Sequence, residues 1–278
     1  MDRLEIFRTI AAEASRGELI FPANVNATLK LQHALDDPDF HLEAASVMVT
    51  AEPLLAARTV AIANSVAYNR SGNAITSVKV AVTRLGFHTL RSMVASAIVR
   101  QLGSKVTEPG LRAKGAQLWE HTAYVAAMAR VIAKKITKVD PDTAMFAAIV
   151  HEVGGFYLLS RAEEFPGLLD DNSADWIEYG EKVIGRGVLK QLGAPEAVME
   201  AVETLWHGVR QLPPKTLGDT LLLANDLAPV ISPLHPPESA NARQQAAMID
   251  FDSGGSTLHQ ILDDSSEEIE SVLAALMV

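Results

Sequence analysis

Residues 116–136, AQLWEHTAYVAAMARVIAKKI, and residues 145–155, MFAAIVHEVGG, decide the fold. The first keeps its apolar side chains on one stripe of a long helix. The second is the strongest apolar run in the chain, and Asp140-Pro141 ahead of it has the form of an N-cap followed by a proline in the first turn. Gly154-Gly155 then reads as the end of that helix, because glycine adopts a left-handed cap at low cost. Working outward, NATLKLQHALD at 26–36 predicts a helix broken by DDPDF at 36–40, and 41–50 predicts a second. Pro53 opens a third helix through LLAARTVAIANSVAY, and Ser71-Gly72-Asn73 supplies a turn. Ser77 is placed as an N-cap and Gly86 as a C-cap before FHTLRSMVASAIVRQLG. SKVTEPGL at 104–111 reads as a linker. Further helices are expected over about 176–192, 195–206 and 215–230, and Ser265 with Glu268 has capping-box spacing before a last apolar stripe.

Composition agrees with an all-α chain. Of 278 residues, 48% are hydrophobic and 21% charged, with a mean hydropathy of +0.13, enough to bury a sizeable core. Aromatics are only 5%, and alanine, leucine and valine carry the apolar content, which suits close-packed helices better than sheets. The 24 basic and 34 acidic residues give a net charge of -10, which disfavours a polyanion-binding surface. The absence of cysteine excludes disulfides, zinc ribbons, iron–sulfur clusters and thiol catalysis. The opening MDRLEIFRTIAAEAS is interrupted by acids, unlike a secretory signal, and no apolar run is expected to reach the roughly 20 residues of a spanning helix, so a cytoplasmic location is expected.

The charge is uneven. Residues 1–106 hold 11 basic and 9 acidic side chains, whereas the segment after 235 holds one basic and eight acidic. The expected organisation is therefore an N-terminal helical bundle (1–106), a second helical bundle (107–235) packed on it, and an acidic C-terminal helical extension (236–278). Arg70, Lys79, Arg84 and Arg91 read as solvated surface, and Trp119, Trp176 and Trp206 as core or interdomain packing.

No dinucleotide-binding, P-loop or nucleophile-elbow motif occurs. What remains is histidine and carboxylate chemistry: His121 within one helix, His151-Glu152 at the end of another, and Asp226 within a third. Imidazoles and carboxylates from separate helices can converge on one divalent cation, which would polarise a phosphate and activate water. The same histidines can equally serve as structural bridges between helices.

The order WEHT at 119–122, AAIVHEVGG at 147–155, LGAPEAVMEAV at 192–202 and LLLANDLA at 221–228 resembles the later part of an HDOD domain, the catalytically degenerate relative of HD-type metal phosphohydrolases. Residues 21–94, with the DDPD turn, the segment Ile62–Tyr68 and Leu85-Gly86, resemble its opening part, and the likeness spans roughly 18 to 235. It implies two helical bundles, the second HD-like. His121 then stands for the first histidine of the HD pattern, His151 for the histidine of the HD pair, Glu152 for that pair's aspartate and Asp226 for the final aspartate. Glu181 falls where a further histidine would lie, and Leu205-Trp206 where a histidine pair would lie, with His207 one place displaced. Such losses imply a non-catalytic regulatory protein of bacterial signal transduction, acting through a protein partner and not through nucleic acid or a membrane, with homo-oligomerisation open. No cofactor is expected on that reading. The alternatives are a weak metal-dependent phosphohydrolase or phosphodiesterase using one divalent metal on His121, His151, Glu152 and Asp226, and a module that senses a nucleotide or small anion.

Overall fold

A computed structural model describes residues 2–169, 175–207, 209–234 and 248–278, and for His207 the backbone alone. Among the described residues the chain is all-helical apart from one short hairpin. The first helices are α1 (Arg3–Arg16), α2 (Asn26–Ala34), α3 (Leu42–Thr50), α4 (Pro53–Asn64) and α5 (Val78–Gly103). Then follow α6 (Pro109–Ile132), α7 (Pro141–Val150), α8 (Val153–Arg161), the π-helical α9 (Trp176–Gly185), α10 (Arg186–Gln191), α11 (Glu196–His207) and α12 (Leu217–Leu227). Strands Asp252–Ser253 and Ser256–Thr257 pair antiparallel, and α13 (Leu258–Asp263) and α14 (Ser266–Met277) close the chain.

Local chemistry sets most of these boundaries. Asp140 Oδ2 accepts from Thr143 N at 2.7 Å with Pro141 in the first turn of α7. Gly86 interrupts α5 at φ 70°, where only glycine is unstrained, so the element is two helices joined at a kink. The segment at 104–111 is shorter than a linker: α6 already starts at Pro109, because the Glu108 carboxylate accepts from Gly110 N and Leu111 N and caps it. Ser77 occupies the N-cap of α5 without a side-chain cap bond.

Two readings of the chain need correction. Gly154-Gly155 does not end a helix. Both lie in the first turn of α8, after a two-residue turn at His151-Glu152. A Cβ on Gly154 would stand 2.7 Å from Gly180 O and 2.9 Å from Gly185 Cα, so the pair serves close backbone approach of α8 to α9. The extension beyond 235 is not wholly helical either, because Gly254 and Gly255, at φ 68° and 89°, turn a hairpin before α13. The boundary drawn at 235/236 and the start of that extension lie outside the described residues.

One hydrophobic cluster runs from Phe7 and Ile10 of α1 through Leu90 and Ile98 of α5 and Ala126 of α6 to Val272 and Leu276 of α14. α7 lies at its centre, packed against α5 and α6. The stretch Pro141–Arg161 is long and apolar enough to cross a membrane, contrary to the sequence expectation, and 89% of its apolar window is buried in this core. Trp119 and Trp176 are core residues at 1% and 3% exposure. Lys79 pairs with Glu43 and Arg91 with Asp36 at the surface.

Candidate functional site

Four helices, α6, α9, α11 and α12, and the α7–α8 turn converge on a cavity of about 240 Å³. α6 brings in His121, the α7–α8 turn brings His151 and Glu152, and α12 brings Asn225 and Asp226. All of His121, His151 and Glu152 are buried, at 2%, 6% and 3% exposure. Their placement follows from packing: His121 sits within the buried face of α6, and in the two-residue turn after Val150 Glu152 is buried and is not a solvated helix-end acid.

The imidazoles are oriented by backbone. His121 Nδ1 lies 2.7 Å from Val230 O, and His151 Nδ1 lies 2.6 Å from Ala148 O. A carbonyl only accepts, so each Nδ1 carries the proton and donates, which turns each Nε2 toward the cavity. The two Nε2 atoms are 3.3 Å apart, and Glu152 Oε2 is 3.9 Å from the first and 4.0 Å from the second. Two nitrogens bound tetrahedrally at about 2.0–2.1 Å from one ion stand about 3.3–3.4 Å apart. Ligating histidines also characteristically donate their other N–H to a carbonyl. This donor set therefore fits one divalent cation, with all three ligand atoms within 4.8 Å of one another.

Asp226 does not join the three. Its carboxylate takes a two-point ion pair from Arg210, one arm being Arg210 Nη2 at 2.7 Å from Oδ1. Asn225 takes the place beside the histidines, with Oδ1 3.1 Å from His121 Nε2. Successive helical residues point about 100° apart, so α12 cannot aim both neighbours at His121. Sequence reasoning missed Asn225 and Arg210. The pairing of Arg210 with Asp226 is tertiary and has no local signal.

Glu181 of α9 lines the same cavity and accepts from Trp176 Nε1 at 3.1 Å. Burial, and then the charge of Glu152, push its carboxyl up to about 8, so it is largely protonated at neutral pH. Leu205 and Trp206 complete the wall where the resemblance placed histidines, and the His207 side chain lies outside the described residues.

The model of the HDOD domain matches residues 21–204. No curated protein matches the chain. Among solved structures, a Shewanella amazonensis SB2B protein, named provisionally as a metal-dependent phosphohydrolase, is 21% identical with a TM-score of 0.74. The match covers 99% of this chain and 100% of that one. A Geobacter sulfurreducens HDOD domain protein with unknown function is 22% identical with a TM-score of 0.61, covering 98% and 97%. A Marinobacter aquaeolei VT8 protein, named provisionally as a signal transduction protein, is 16% identical with a TM-score of 0.57, covering 100% and 67%. At these identities the structures establish the shared fold, and with two thirds of its length matched by the domain model the chain belongs to the HDOD family.

Proposed function

We propose that this chain is a regulatory HDOD module that transmits a signal by binding a protein partner and does not turn over phosphate esters. The Arg210–Asp226 pair carries this reading. It removes one carboxylate from the cation-facing set and puts a guanidinium at the cavity, where it opposes the charge of a catalytic metal. Glu181 in its protonated form adds no compensating negative charge. The provisional name of the Marinobacter relative points the same way.

The test is turnover by protein supplied with Mn²⁺, Fe²⁺ or Zn²⁺, against p-nitrophenyl phosphate, bis(p-nitrophenyl) phosphate and a cyclic dinucleotide. The expected result is no rate above that of His151→Ala. Turnover abolished by that substitution would overturn the proposal. The partner is sought by crosslinking in the source cells and accepted only when the purified pair binds saturably.

A second reading, a weak metal-dependent phosphohydrolase, draws on the two inward-facing Nε2 atoms 3.3 Å apart. An ion held by His121, His151 and Glu152 would supply Lewis-acid polarisation of a phosphoryl oxygen and a more acidic bound water. Metal content distinguishes occupancy from turnover: one equivalent in the wild type and none in His121→Ala/His151→Ala establishes a bound ion, and only turnover makes it catalytic.

A further inference from the structure

A second cavity, of about 510 Å³, lies among α4, α5 and α6. Trp119, which lines it, and His121, which lines the first, are two residues apart on α6, so about 200° of helical rotation puts the two cavities on opposite faces. Three arginines line the second: Arg58, 1% exposed, the half-buried Arg100, and the exposed Arg112. Two of them converge on one ring. The Arg58 guanidinium carbon is 5.7 Å, and that of Arg100 5.2 Å, from the centre of the Trp119 ring.

Among the described residues no carboxylate side chain pairs with Arg58 or Arg100, as buried arginines ordinarily require. Arg58 donates from Nε and Nη2 to the main-chain oxygen of Val278, at 3.1 and 2.9 Å. Arg100 has no hydrogen-bond or ion-pair partner among the described residues, only its ring contact. The one acid in the lining, Glu52, is occupied as the N-cap of α4, accepting from Leu54 N at 3.3 Å. Trp119 Nε1–H, on a residue 1% exposed, has no acceptor among the described residues. Burial and the like charge of Arg100 push Arg58 down to about 10, a cost that a bound anion would relieve.

From this cavity, its three arginines and the orphaned indole N–H we infer a binding site for a phosphomonoester of a small organic molecule. Three arginines in the lining outnumber its one acid, Glu52, and this cationic excess favours an anion, a phosphomonoester at about -2 near neutral pH more strongly than a lone carboxylate. Guanidinium groups match phosphate oxygens two at a time. The volume is within the ~300–1,000 Å³ range of small-molecule sites, so the phosphate carries an organic body. The inference is independent of the signalling role proposed above and of any metal at His121.

The test is titration of the full chain with AMP, glucose 6-phosphate and inorganic phosphate, read by calorimetry and melting temperature at constant ionic strength. At least one phosphomonoester is expected to bind one-to-one with a Kd below about 1 mM. It should bind more tightly than inorganic phosphate and raise the melting temperature. Arg100→Gln, at a half-buried position with no partner to orphan, should fold and weaken that binding by ~tenfold or more. Arg112→Gln should weaken it less, and His121→Ala/His151→Ala should leave it unchanged. No binding by either phosphomonoester, an equal effect of chloride, unaltered binding by Arg100→Gln, or loss of binding in the double histidine variant would each overturn the site.

Discussion

Arg130 of α6 donates from Nη1 to Glu268 Oε1 of α14 at 2.5 Å, joining residues 138 positions apart. Lys134 Nζ reaches the other oxygen of the same carboxylate at 2.7 Å, and Arg130 Nε donates to Tyr68 Oη, whose ring the guanidinium overlies. The Tyr68 hydroxyl in turn donates to Asp142 at the start of α7. The last helix is thereby fastened into the same core as α6 and α7, and is not a loose appendage.

Removing Glu268 leaves Arg130, 7% exposed, with only the more distant Asp142 carboxylate, 3.7 Å from its Nε, among the described residues. Glu268→Ala should destabilise the chain by about 1–3 kcal/mol in urea unfolding, since Asp142 still offsets part of the Arg130 charge. Glu267→Ala, on the exposed face of the same turn, should change stability by under about 0.5 kcal/mol. Equal effects from the two would mean that the network contributes no more than surface charge.

That network marks where sequence reading stops. Asp140-Pro141, Gly86 and the turn at 71–73 act through their nearest neighbours, so the helices they bound were legible from local chemistry. Ser265 and Glu268 have capping-box spacing, yet the box does not form: Ser265 makes no side-chain cap bond, its N–H goes to Leu262 O, and Arg130 and Lys134 claim the Glu268 carboxylate. The candidate site divides the same way. His121, His151 and Glu152 could be named from their order along the chain. The choice of Asn225 over Asp226 depends on the rotation of α12 and on Arg210 arriving from another segment, and neither is encoded locally.

The close approach of α8 to α9 gives a paired prediction. Gly154→Ala sets a methyl against the backbone of Gly180 and Gly185, which cannot rotate away, and should cost about 1–3 kcal/mol. Gly115→Ala, inside α6, meets only Leu159 Cδ1 at an ordinary 3.6 Å and should stabilise by up to about 1 kcal/mol. Thermal melts of the two variants should therefore move in opposite directions.

Glu181 makes stability fall with rising pH. Its folded value, about 8, lies above the ordinary 4.5, so between these limits the folded chain keeps a proton that the unfolded chain has lost. Protonation thus favours the fold. The contribution is full below about pH 4.5 and disappears as pH rises to about 8, with a slope of up to roughly 1.4 kcal/mol per unit from this one group. Glu181→Gln should flatten the slope between pH 5 and 8 and be relatively more stable at the upper end. Parallel wild-type and variant curves would place Glu181 in an ionised, solvated setting instead.

Arg210 and Asp226 set the sign of the field at the histidine cavity. The Asp226 side chain is 7% exposed and held by a guanidinium that is itself half exposed, so the pair can be opened from the Arg210 side without touching the core. Arg210→Gln removes one positive charge and leaves the Asp226 carboxylate uncompensated in the wall of the cavity that holds His121, His151 and Glu152. Zn²⁺ or Mn²⁺ affinity, measured by calorimetry, should then rise on the order of tenfold, about 1.4 kcal/mol. The same variant should lose about 1–2 kcal/mol of stability without metal and recover part of it when metal is added. Unchanged metal affinity would mean that the ion pair is insulated from the cavity, and the charge argument against a catalytic metal would go with it.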